Sequence, residues 1–295
     1  MSENTGQLLL FDFEEAVEDI DNAMPQFNLL DKFNAIDIKV DQRISEIEAE
    51  YCKRQEVIFY ETRDILKRNL SELNNLYEKY GEKDSFSGRE ESFLSTYDDL
   101  KYVKNRIDSI YKEFISRITH YFARRHKVSL SSNEIVGKYD ENSISYTIIL
   151  DEIFEQLGGL SFKEKAVEEI KAASRSIIYN KSNLHIAKNK LSIIDCVYWD
   201  SGFIDDSKSI RYDDRRVKPL FLALSHFMNG SVEMIYRLGE IYQQLNRGSR
   251  DYDIFSKYEI GIYNVESLKM YKNGKIEIVF SEHENAEAFK NEYLY

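Results

Sequence analysis

Two runs of apolar residues at coiled-coil spacing constrain this chain more than any other feature of its sequence. Val40, Ile44, Ile47, Tyr51, Ile58 and Ile65 step along the first run by threes, fours and sevens. Phe93, Tyr97, Leu100, Ile107, Ile110, Phe114, Ile118 and Tyr121 do the same in the second. A helix with such a stripe must bury it, and the nearest partner is the other run. Between them, Gly81–Gly88 combines glycine stops with polar residues, as helix connections do. The pattern predicts a long antiparallel hairpin, with one helix from about Ile36 to Tyr80 and the next from about Arg89 to Lys127. At 1.5 Å per residue each is a rod about 55–60 Å long. Rods serve reach and assembly more often than catalysis.

Beyond Val128 the texture changes to shorter elements. Tyr146–Leu157 reads as a helix stopped by Gly158-Gly159. Ser161 with Glu164 forms a capping-box pattern that opens a helix to about Tyr179. Leu184–Ile186 and Leu191–Trp199 read as strands, Asp200–Asp214 as a polar loop, and Val217–Met228 and Val232–Leu245 as helices. Leu268–Tyr271 and Lys275–Phe280 flank Lys272-Asn273-Gly274, in which Asn-Gly supplies the positive φ angles that a tight hairpin needs. A short helix from about Asn285 to Tyr293 follows. The expected fold class is α+β: a coiled-coil-like hairpin arm over 36–128, after an acidic segment over 1–35, attached to a mixed α+β body over 129–295.

Charge narrows the partners. The formal net charge is −12, and residues 1–35 hold eight acids against Lys32 alone, so −7 of it falls in that segment. Non-specific binding to a phosphate backbone is disfavoured by this balance. Arg124, Arg125, His126 and Lys127 end a predicted helix, where positive charge complements the dipole. Gln7–Phe11 is too short and too acid-flanked for a signal peptide, and no segment approaches the roughly 18 apolar residues of a membrane span. Cys52 and Cys196 suit neither a disulfide framework nor a metal knuckle, so an intracellular, reducing location is expected.

The residues offer little chemistry. There is no phosphate-binding glycine loop and no G-x-S-x-G elbow, and the five histidines are scattered. Asp205-Asp206 and Asp213-Asp214 are the one place where carboxylates could converge on a divalent ion. Their loop carries the alternative reading, a metal-dependent enzyme acting on nucleic acid or nucleotide. An acidic DNA mimic is a further alternative, weakened because the acids of the first long helix alternate with lysines and arginines. No cofactor is expected. The 21 tyrosines and 17 phenylalanines supply core, and some can supply hot spots on a protein-binding surface. Tyr212, Arg215, Arg216, Tyr271, Lys272 and Asn273 are the candidate partner-binding residues. Tyr51, Ile58, Tyr97 and Ile107 are the candidates for self-assembly.

Two stretches carry a resemblance. Ile149–Gly159 (ILDEIFEQLGG) and Leu268–Lys275 (LKMYKNGK) with the following Phe280 resemble segments of a poorly characterised domain of phage and mobile-element proteins. There, a leucine, an aromatic, a lysine and Asn-Gly lead into the last strand. Some members sit beside methyltransferase modules, but this chain has no S-adenosylmethionine glycine motif. In length, acidity and helical extension the chain is similar to the family of phage-encoded Gabija anti-defence proteins. That resemblance implies a non-catalytic homo-oligomer in the host bacterial cytoplasm. It would bind the Gabija nuclease complex and block its access to DNA, without itself binding nucleic acid or membrane.

Overall fold

The computed structural model describes residues 43–80, 96–201, 208–210, 215–247 and 253–295. The chain divides into two compact units, Met1–Tyr51 and Cys52–Tyr295. Among the described residues the architecture is α+β, with seven α-helices, a five-stranded sheet and a two-stranded sheet. The acidic segment over 1–35, Val40 and Phe93 lie outside the described residues.

In the first unit the described residues are the start of helix α1 (Glu46–Tyr80) and the turn before it. The expected start near Ile36 is therefore corrected. Ser45 and Glu48 form a capping box, Ser45 N donating to Glu48 Oε2 at 2.8 Å and Glu48 N to Ser45 Oγ at 3.4 Å. Such a box satisfies amide donors that a helix N-terminus leaves orphaned.

In the second unit, the rest of α1 packs against helix α2 (Thr96–His126). Phe59 stacks on Phe114 with centroids 4.7 Å apart, and Arg117 reaches Gln55 at 3.5 Å. Falling numbers on one helix meet rising numbers on the other, so the pair is antiparallel. The α2 stripe is as read from Ile107 through Ile110 and Phe114 to Ile118, all buried, while Leu100 and Tyr121 are half-buried. The α1 stripe is not, because Ile58 and Ile65 are exposed while Cys52 and Phe59 are buried.

A polar row does the remaining work on α1. Glu56, Tyr60, Arg63 and Lys67 recur at helical spacing, so they share one face. Tyr60 donates to Ile144 O at 2.6 Å, Arg63 to Glu141 O at 3.0 Å and Lys67 to Asn142 Oδ1 at 2.6 Å. Glu56 accepts from Tyr146 N at 2.9 Å. The loop over 136–145 is thus tied to α1, and from α2 Tyr111 donates to Tyr139 O at 2.8 Å. Glu152, on helix α3 (Tyr146–Gln156), holds the loop from the other side through Lys138 and Tyr139, each at 2.6 Å. These bonds keep the Glu152 carboxyl below the usual carboxylate range.

Helix α4 (Phe162–Arg175) opens on the expected Ser161–Glu164 capping box. Its first residue stacks on His126 at 4.0 Å, and Phe122 stacks on Phe162 at 5.6 Å, which ties α2 to α4. The five-stranded sheet comprises β1 (Leu184–Ala187), β2 (Lys190–Ile193), β5 (Lys257–Ile262), β6 (Val265–Met270) and β7 (Ile276–Phe280). Its order is β1-β2-β7-β6-β5, antiparallel throughout. Strand β5 is additional to the expected set. Within the predicted polar loop Asp200–Asp214 lies part of a small ladder instead, β3 (Trp199–Ser201) with β4 (Lys208–Ile210).

Alternation sets the core. Ile276, Ile278 and Phe280 of β7 are buried beside Leu191 and Ile193 of β2 and Leu268 and Met270 of β6. They share one buried cluster with Leu220, Phe221 and Leu224 of helix α5 (Val217–Asn229) and Leu238 and Ile241 of helix α6 (Tyr236–Arg247). Phe289 of helix α7 (His283–Phe289) and Tyr293 of the following π-turn complete it. Helix α6 begins at Tyr236 rather than Val232, since Ser231 bonds its own turn at Glu233 N and O. Among the described residues, no helix is long and apolar enough to cross a membrane.

Candidate protein-interaction surface

A segment expected as strand does something else. β2 ends at Ile193, and Asp195 turns the chain with φ 55°, a left-handed conformation that aspartate tolerates better than most residues. The chain then crosses the β6–β7 turn, where the amides of Cys196 and Val197 both donate to Gly274 O at 2.9 Å. Cys196 and Val197 are buried, while Tyr198 points outward. Trp199 Nε1 donates to Tyr271 O at 3.1 Å.

The turn has the three expected residues, Lys272-Asn273-Gly274, but not both of the positive φ angles expected of Asn-Gly. Tyr271 N donates to Lys275 O and Gly274 N to Tyr271 O, both at 2.9 Å, enclosing the three residues Lys272, Asn273 and Gly274. Gly274 alone takes positive φ, at 79°. Three-residue hairpin loops commonly end on such a residue.

On one side of the crossing segment, the Arg216 guanidinium lies between two phenol rings. Its Cζ is 4.7 Å from the Tyr179 centroid and 4.6 Å from that of Tyr198. Arg216 also donates from Nη1 to Asp195 O, which fixes the side chain. Tyr179 is 80% exposed and Tyr198 46% exposed, so the rings present wide faces to solvent around a held cation.

On the other side, lysines gather around rings. Lys275 Nζ is 4.0 Å and Lys269 Nζ 5.1 Å from the Tyr271 centroid. Lys272 lies 5.7 Å from Phe255, whose ring meets Trp199 edge-on at 5.0 Å. Glu277 pairs with Lys190 at 2.9 Å and Lys275 at 3.2 Å. Burial alone would raise the Glu277 carboxyl, but the bonds from Lys190 and Lys275 outweigh it and hold it below its ordinary value.

The crossing segment therefore joins residues that sequence reasoning picked out separately. Arg216 touches it at Asp195 and Tyr198, and Tyr271 through Trp199. Lys272 and Asn273 are exposed in the turn that it covers, and Arg215 is exposed beside Arg216. Tyr212 lies outside the described residues, as do Asp205, Asp206, Asp213 and Asp214. Tyr179, Tyr198, Phe255 and Lys269 were missed. Tyr198 beside Trp199 in an apolar run is the only sequence signal among them. Of the assembly candidates, Tyr51 is half-buried, Ile58 is 42% exposed and Ile107 is buried, while Tyr97 lies in the first turn of α2.

What the surface can do is bind. Stacked arginine and exposed tyrosine are the side chains most enriched where protein interfaces hold their energy. Among the described residues, no group of three or more His, Cys, Asp or Glu side chains could hold a metal ion. Cys52 and Cys196 are both buried and share no disulfide. No family model, no curated protein and no solved structure matches the chain.

Proposed function

We propose that this chain acts without catalysis, by binding another protein and covering surface which that protein needs. The observation that supports this is the Tyr179–Arg216–Tyr198 stack, held beside the Trp199–Phe255–Tyr271 group by one crossing segment. A held cation between exposed rings gives a partner large contact area with little side-chain entropy left to lose. The partner we propose is the one to which the family resemblance points, the bacterial Gabija nuclease complex. On this reading the protein works in the cytoplasm of the bacterial host. It forms a homo-oligomer whose linked copies raise avidity beyond that of any single contact.

Co-expression with the Gabija complex, followed by sizing of the purified material, tests the proposal. The expected result is one co-migrating assembly in which DNA cleavage is suppressed. Separate migration of the two proteins, with cleavage intact, would overturn the proposed partner.

A further inference from the structure

The outward face of the sheet breaks a local rule. Lys257 on β5 stands directly opposite Lys269 on β6 in the ladder, and like charges so placed repel. Lys269 in turn stands opposite Glu277 on β7, which binds Lys190 and Lys275. With Lys272 in the turn, this face gathers five lysines. Glu277 and Glu259, the latter paired with Lys257 at 2.7 Å, are its acids. Asp253, nearby in sequence, accepts from the Phe255 amide at 3.0 Å. Among the described residues these five lysines and two glutamates leave the patch positive by three charges, in a chain whose total is −12. Phe255, Lys269, Tyr271, Lys272 and Asn273 also line a groove of about 390 Å³.

We infer that this lysine face is a docking site for a carboxylate-rich segment of a partner protein. The inference rests on reading the surface as protein-binding, and it adds the chemistry of what is bound. Local departures from folding rules are expected where function needs them, and the repelling Lys257–Lys269 pair is relieved when an anion lies between them. From β5 to β2 the face spans three strand spacings, about 14 Å, the length of a four- or five-residue extended segment. The ammonium groups of Lys269 and Lys275 lie over the Tyr271 ring and that of Lys272 over Phe255, so acidic side chains meet charges already positioned. A nucleic acid fits less well. Its phosphates would meet the acidic remainder of the chain beyond this patch, and among the described residues the arginine beside it, Arg237, is held by the Glu259 carbonyl and Glu240 rather than open as a fork for bidentate phosphate recognition.

Trp199 is the single tryptophan, and it is hydrogen-bonded to Tyr271, so its fluorescence reports on the face directly. The test titrates the full chain with polyglutamate, and separately with oligothymidylate of matching length. It compares the wild type with K269E/K272E and with the charge-matched control K101E/K104E, two exposed lysines on α2. Saturable binding of polyglutamate is expected, weakened by added salt, weakened about tenfold or more in K269E/K272E, and nearly unchanged in the control. No saturable response, equal loss in both variants, or oligothymidylate binding as tightly as polyglutamate would each overturn the inference. The titration needs no Gabija complex. Failure here with co-purification intact removes only the docking chemistry, whereas binding here without co-purification removes only the proposed partner.

Discussion

Val197 passes over Gly274 so closely that a Cβ on Gly274 would sit 2.5 Å from the Val197 carbonyl oxygen. The obstacle is backbone on both sides, so neither chain can yield cheaply. Gly274 also holds φ 79°, where a side chain is strained. Gly274→Ala should cost about 1–3 kcal/mol in chemical denaturation. It should also shift Trp199 fluorescence, because the crossing segment must lift. Unchanged stability and an unchanged spectrum would show that this crossing is not fixed as described.

Arg216→Ala separates binding from folding. The side chain lies between solvent-facing rings, so its loss should change the melting temperature little. Partner affinity should fall about tenfold to a hundredfold, the range of an interface hot spot. Arg216→Lys should recover only part of that, because ammonium lacks the flat face that stacks between rings. Pull-down with each variant, read beside its melting curve, checks both effects.

The two faces of α1 make opposite predictions. Phe59→Ala should cost about 3–5 kcal/mol, since the ring is buried against Phe114. Ile58→Ala, one residue away at an exposed position, should cost well under 1 kcal/mol by the usual rule for surface substitutions. Tyr60→Phe should fall between, at about 0.5–1.5 kcal/mol, for the lost bond to Ile144 O. Equal effects at 58 and 59 would restore the apolar stripe that the spacing predicted.

His226 makes stability depend on pH near neutrality. Its Nδ1 lies 2.6 Å from the Tyr293 hydroxyl. Burial, then Lys171, keep the imidazole below its ordinary value, with Lys163 adding to them and Glu292 pulling the other way. The unfolded chain therefore takes up this proton more readily than the folded one. The contribution is whole above about pH 6.5, and is lost as pH falls through that value toward the lower folded pKa. Melting temperature should drop over this interval in the wild type and drop less in His226→Gln. Parallel profiles would remove His226 as the cause.

Some of this architecture was legible because the signal was local. The Ser161–Glu164 box, the α2 stripe from Ile107 to Ile118 and the alternation of Ile276, Ile278 and Phe280 each lie within one stretch of chain, and each formed as read. Where tertiary partners decide, the sequence misled. The row Glu56–Tyr60–Arg63–Lys67 looks like a solvated face, because hydropathy cannot see the loop carbonyls it meets. Lys257–Ile262 escaped notice because Gly261 breaks its alternation at a bulge against β6. Arg216 and Tyr271 stand out in the sequence by residue type alone. Nothing in the sequence says that a turn at Asp195 would bring both to one segment, or that Tyr179 would complete the stack.

Apart from Lys67, which meets the Asn142 side chain, the tethers between the long helices and the loop over 136–145 are asymmetric in kind. Tyr60, Arg63 and Tyr111 give specific side chains, while Ile144, Glu141 and Tyr139 return only main-chain oxygens, which every amino acid carries. Evolution can change the loop side of such a bond without breaking it, but not the helix side. Glu141 adds only a partly exposed ion pair to Lys67, an interaction of small value. Across diverging relatives, turnover at Glu141 should therefore come well before any at Arg63.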